Sequence, residues 1–112
     1  MRLLYIPVVG PIKEVDVPDN ALLNKAYELL DCSCIECVYI LQHKYVMIID
    51  ESGKIKDPPK AVNHRASPFY CGFPYDLICG DVLIGKFGFT DQGADIVGLT
   101  ENEVESFKEY FC

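Results

Sequence analysis

The spacing of apolar and polar positions changes along the chain, and each change predicts a new element. The opening run Met1 to Val9 is almost continuously apolar, as in a buried strand, and Gly10-Pro11 stops it. In Ile12 to Val17 the apolar residues Ile12, Val15 and Val17 alternate imperfectly with Lys13, Glu14 and Asp16, the pattern of a half-exposed strand. The two runs predict a hairpin. Pro18-Asp19-Asn20 then offers helix-capping side chains before Leu22, Leu23, Ala26, Tyr27, Leu29 and Leu30, which follow at helical spacing. From Cys34 to Leu41 and from Lys44 to Ile49 lie two further β runs, joined by Gln42-His43 and closed by Asp50-Glu51-Ser52-Gly53, a second hairpin.

Asp57-Pro58-Pro59 blocks regular structure, and the stretch to Pro74 reads as irregular, weighted down by its own aromatics Phe69, Tyr70, Phe73 and Tyr75. Asp81 to Phe89 predicts one more strand, with Val82 and Ile84 facing one way and Leu83 and Gly85 the other; Thr90-Asp91-Gln92-Gly93 ends it. Thr100-Glu101-Asn102-Glu103 matches a capping box at the start of a terminal helix running to Cys112. Its inward stripe is Val104, Phe107 and Phe111; Glu101, Glu105 and Glu109, four apart, form an outward acidic row. This order predicts an α+β domain: a mainly antiparallel sheet of about five strands with two helices packed on one face.

At 112 residues, half of them apolar and 24% charged, the chain suits one domain, alone or as a small homo-oligomer. No stretch approaches the roughly 20 apolar residues of a membrane helix, and the start lacks the pattern of a secretory signal. Six cysteines without an export signal read as reduced thiols in a cytoplasm rather than a disulfide framework. The net charge of −7 argues against direct binding to nucleic acid or an anionic membrane, both of which require positive charge. Met1 to Tyr75 is close to neutral, so nearly all the imbalance lies in Asp76 to Cys112, where 8 acidic residues meet 2 basic ones.

Several short motifs in a fixed order resemble one family. They are a β-rich start, a Leu-rich helix running into Ile35-Glu36, a hairpin ending in Asp50-Glu51-Ser52-Gly53-Lys54, and the Pro58-Pro59 to Arg65 segment. Tyr75-Asp76-Leu77-Ile78-Cys79-Gly80 before a strand and a closing Leu99-Thr100-Glu101 helix complete the series. Together they are similar to small domains of unknown function found largely in phages, plasmids and other mobile elements of Gram-positive bacteria. The resemblance implies a mobile-element origin and brings no catalytic residues with it. The chain departs from that pattern at Cys32-Ser33-Cys34 and at Asn63-His64-Arg65.

Candidate chemistry is sparse. Cys32, Cys34 and Cys37 are a compact set of soft ligands without a matching second pair for tetrahedral zinc, and in a strand Cys34 and Cys37 point to opposite faces. No metal and no cofactor are therefore expected. Cys71 downstream of His64 is the one candidate nucleophile, Asp76 and Asp81 a candidate acid–base pair, and the set Gly80, Gly85, Gly88 and Gly93 lacks phosphate-cradling spacing. Hydrogen-bonding and stacking groups concentrate at Asn63, Arg65, Tyr70 and Tyr75, the place to expect a nucleotide-like small molecule. The acidic end is the place to expect a protein partner with a basic surface, through Asp95, Glu101, Glu105 and Glu109, with the helix Glu101 to Cys112 and the strand Asp81 to Phe89 as the contact region. The leading expectation is a non-enzymatic accessory protein that acts by binding, as an inhibitor of a host defence protein. A small-molecule binder is the alternative, and a small hydrolase or transferase using Cys71 or Asp76 comes third.

Overall fold

β-Branched and aromatic residues dominate the runs that pair. In a computed structural model describing residues 1–70, 74–91 and 93–111, they form β1 (Arg2–Ile6), β2 (Lys13–Asp16), β3 (Ile35–Ile40), β4 (Tyr45–Asp50), β5 (Val82–Thr90) and β6 (Gly93–Val97). The helices are α1 (Leu22–Leu30) and α2 (Glu101–Phe111), and a short 3-10 turn covers Ser67–Phe69. Every strand pair is antiparallel, in the order β2-β1-β5-β4-β3. β6 pairs with the second half of β5, beyond the stretch that β1 occupies.

The α+β class and the antiparallel sheet are those the pattern predicts. The placement of both helices on one face is corrected: each covers its own face. Side chains alternate across a strand, and neighbours in sequence enter different cores. Leu4, Met47, Val82 and Ile84 pack with Val104 and Phe107 of α2. Leu3, Val46, Ile48 and Leu83 pack with Ala26 and Leu30 of α1. The central strands are apolar at successive positions because both faces are covered, a feature that the sequence reading used only for β1.

Two other expectations change. A sixth strand follows β5: Gly93–Val97 pairs back antiparallel on Lys86–Thr90, so the chain makes a hairpin where the sheet was expected to end. Gly85 allows the closure, since a Cβ there would lie 2.9 Å from Ile96 Cγ2 and 3.1 Å from Leu3 Cδ2. Secondly, α1 has Ala21 at its N-cap position and no side-chain cap. Its far end is held instead: Lys60 Nζ donates to the Leu30 and Asp31 carbonyls, and Lys56 Nζ to that of Asp31, cations where the helix dipole favours them. The capping box of α2 forms as predicted, Thr100 N donating to Glu103 Oε1 (2.9 Å) and Glu103 N to Thr100 Oγ1 (3.2 Å). Among the described residues no helix is long and apolar enough to cross a membrane.

Candidate functional site

The segment richest in polar signals turns inward. Asn63 is fully buried, and its side chain is entirely committed: Nδ2 donates to the carbonyls of Ile6 (3.0 Å) and Gly80 (3.1 Å), while Oδ1 accepts the amides of Arg65 (3.2 Å) and Ala66 (3.0 Å). Its backbone amide donates to Ile78 O, and Ser67 Oγ donates back to Asn63 O while accepting the Ile78 amide. Arg65 Nη1 donates to Gly10 O (2.6 Å) and Pro7 O (3.3 Å), fastening the β1–β2 turn. An irregular segment has no ladder to satisfy its buried backbone groups, and these side chains supply the missing partners.

The other two residues of that set lie apart from it. Tyr70 is half-buried beside Lys54, whose Nζ stands 5.8 Å from the ring centroid, and Tyr75 is 98% exposed. Asn63 and Arg65 thus knit the fold, and the four residues do not converge on one cavity. Tyr70 lines two hollows: one of about 190 Å³, where Glu36, Asp50, Glu51 and Asp76 outnumber the single cation Lys54, and one of about 470 Å³ along β3, which among the described residues no lysine or arginine lines.

The other chemical candidates are equally occupied. Asp76 pairs with Lys54 and accepts the Leu77 amide, and that lysine holds its carboxyl below the usual carboxylate range. Asp81 accepts from the Tyr5 hydroxyl and the Val8 amide. Cys71 lies outside the described residues. Cys32, Cys34 and Cys37 are free thiols; desolvation, then the nearby Asp50 charge, raises the pKa of Cys32, and desolvation followed by Glu36 raises that of Cys37. Raised values keep both as thiols, the weaker nucleophilic form. Among the described residues no three His, Cys, Asp or Glu side chains gather as a metal site.

One acid is deeply buried. Asp50, its side chain 1% exposed, meets Lys56 Nζ at 2.5 Å and Lys60 Nζ at 2.9 Å, while its other oxygen accepts the Ser52 amide. Burial pushes its pKa up, but the hydrogen bonds from Lys56 and Lys60 and from that amide outweigh burial and hold it below normal. Because the same lysines grip the end of α1, this cluster ties helix, β4 and the following loop together.

The surface that remains open lies around α2 and the tip of the β3–β4 hairpin. Asn102, Ser106 and Tyr110 of α2 line a groove of about 340 Å³ together with Leu41, Tyr45 and Phe69, the Tyr110 and Phe69 rings meeting at 5.1 Å between centroids. A second hollow of about 470 Å³ continues from the shared residues Leu41 and Phe69 along β3 to Cys37. Leu41 is 47% exposed and Tyr110 70%. Glu103 closes the floor, accepting from the Tyr45 hydroxyl at 2.5 Å with Lys86 Nζ 3.5 Å away. Burial, with help from Glu103, pushes the Tyr45 hydroxyl up to about 12.

One residue over from Asn102, Ser106 and Tyr110, a step of about 100° around the helix, stand Glu101, Glu105 and Glu109. All three are exposed, and among the described residues none forms an ion pair. The acidic row predicted from the sequence therefore flanks an apolar groove that the sequence reading missed. Asp95 is also exposed, on β6, where its carboxylate accepts the Ile96 amide; the strand Asp81 to Phe89, expected to share the contact region, is instead the centre of the sheet, flanked by β1, β4 and β6 with Val82, Leu83 and Ile84 fully buried.

The tip itself is strained. Leu41, Gln42 and His43 have φ of 52°, 62° and 65°, left-handed values that cost a non-glycine residue on the order of 1 kcal/mol each.

Compared with known families, residues 1–112 match the model described as Domain of unknown function (DUF3846). No curated protein and no solved structure matches the chain.

Proposed function

The chain belongs to the DUF3846 family, and since that membership carries no activity, we propose from the chain's own geometry that it is a non-enzymatic protein that acts by binding another protein. The observation that carries this reading is the juxtaposition on α2 of an unpaired acidic row, Glu101, Glu105 and Glu109, with the open groove lined by Tyr110, Phe69 and Leu41. Protein interfaces combine an apolar anchor in a pocket with a charged rim, the anchor providing affinity and the rim steering and selection. A partner with a basic surface and one projecting apolar side chain fits both parts. Asp95 extends the acidic surface on β6. The mobile-element setting implied by the sequence resemblance makes a host defence protein the partner class, with inhibition as the outcome and the bacterial cytoplasm as the place.

A nucleotide-like ligand ranks second. The Asn63 side chain and Arg65 Nη1 are engaged by the fold, and of the two hollows beside Tyr70 one is lined by four carboxylates against Lys54 and the other, among the described residues, by no lysine or arginine. The reading as a hydrolase or transferase ranks third, because Asp76 is tied to Lys54.

The test is a pull-down from the native host, followed by Glu101→Lys, Glu105→Lys and Glu109→Lys together. Loss of the recovered partner by the triple variant, and weaker wild-type binding as salt rises, support the reading. Binding that is unchanged in the triple variant removes the acidic row from the account.

A further inference from the structure

The two outermost strands of the β2-β1-β5-β4-β3 path are unlike. β2 is four residues long and carries Lys13, Glu14 and Asp16, charges of the kind that keep an edge from pairing. β3 is six residues long, and Glu36 is its one charge. On the β4 side, the Glu51 amide donates to Cys34 O, which sets the alternation of the ladder: Glu36, Val38 and Ile40 turn their backbone groups to β4. Ile35, Cys37 and Tyr39 turn theirs away from the sheet, and among the described residues no strand lies beyond β3.

We propose that β3 pairs antiparallel with β3 of a second copy of this chain, centred on Cys37, so that the sheet runs continuously through a twofold dimer. The register follows from which groups point outward. Centring on Cys37 matches all three outward-facing residues at once: Cys37 with Cys37 of the second copy, Ile35 with Tyr39, and Tyr39 with Ile35. Each of these pairs exchanges two backbone hydrogen bonds. A shift by two residues in either direction leaves some outward groups unmatched. The same register is good for the side chains. Ile35 opposite Tyr39 is an aliphatic–aromatic cross-strand pair, made twice. Glu36 falls opposite Val38, so the strand's one charge never meets its own copy.

An identical partner is favoured because the edge is complementary to itself under a twofold, the form that closed dimers take. The acidic row and its groove lie on α2 and not on the paired strand edge, so this dimer and the binding surface proposed above are separate claims.

Sedimentation of the full chain across a concentration series, with bismaleimide cross-linking mapped by mass spectrometry, tests the pairing. The expected result is a species of twice the 12.6 kDa chain mass, a Cys37-to-Cys37 cross-link, and loss of that cross-link in Cys37→Ser. Tyr39→Lys, at a position already 48% exposed, should weaken the dimer by about tenfold, since two cross-strand pairs are lost; the cost of losing its ring contacts with Phe87 and His43 is read separately from the thermal midpoint of the dilute monomer. Glu101→Lys with Glu105→Lys and Glu109→Lys should leave the dimer intact. Because both copies are acidic, dimerisation should hold or tighten as salt rises, opposite to the basic-partner complex. A chain that stays monomeric throughout overturns the proposal, and so does a dimer that is indifferent to Tyr39→Lys and cross-linked elsewhere.

Discussion

The segment Asn63–Ser67 and the surface formed by α2 with the β3–β4 tip both concentrate polar and aromatic groups, yet they use them in opposite directions. In the first, the side chains replace a missing ladder: Asn63 alone satisfies two carbonyls and two amides at full burial. In the second, Leu41 and three glutamates stay exposed, and Tyr110 is 70% exposed although its ring rests on Phe69. A cluster of hydrogen-bonding residues in a loop is therefore no sign of a ligand until its partners are counted. What distinguishes a surface available to a partner is capacity that the fold has left unspent.

The sharpest way to break this comparison is Asn63→Ala. It strands two buried carbonyls and two amides, and with about 1–3 kcal/mol for each unsatisfied group, a loss of about 3 kcal/mol or more is expected in urea unfolding. A variant of near wild-type stability would mean that the latch is dispensable.

Asp50 gives the next effect. Its folded pKa lies below the ordinary aspartate value, so its contribution is complete above about pH 4 and is lost as pH falls through the folded value. The urea midpoint should fall on acidification more steeply in wild type than in Asp50→Asn, and the variant should be less stable at neutral pH.

At the open surface the signs change. Gln42→Asn with His43→Gly relieves left-handed strain at the tip and should add about 1 kcal/mol. Thermal melts would show whether the tip is strained or simply at ease in that shape. The smallest effect belongs to the triple charge reversal on α2, which should move stability by no more than about 0.5 kcal/mol while abolishing partner capture.

Elements whose cause is local were legible in the sequence. α1 stands at Leu22–Leu30 and α2 carries its Thr100–Glu103 box, because helical spacing and capping residues act over a few positions. The alternation of Val82 and Ile84 against Leu83 also stands. The sixth strand was hidden because a turn that ends a strand and a turn that begins a hairpin use the same residues, and Gly93–Val97 has little apolar pattern of its own. The facing of the helices was hidden because it is a property of the whole sheet, settled when both sides of β4 and β5 find cover. The roles of Asn63 and Arg65 depend on carbonyls some 55 residues away, which no local pattern could announce. The groove arises in the same way, from Leu41, Phe69 and Tyr110 drawn together across the chain.

Amide hydrogen exchange, with and without the partner recovered by pull-down, tests the division between the two regions most directly. The account predicts new protection across α2 and the 41–45 turn, with the amides of Asn63, Ser67, Ile78 and Gly80 slow in both states. New protection confined to residues 61–70, with α2 unchanged, would contradict it.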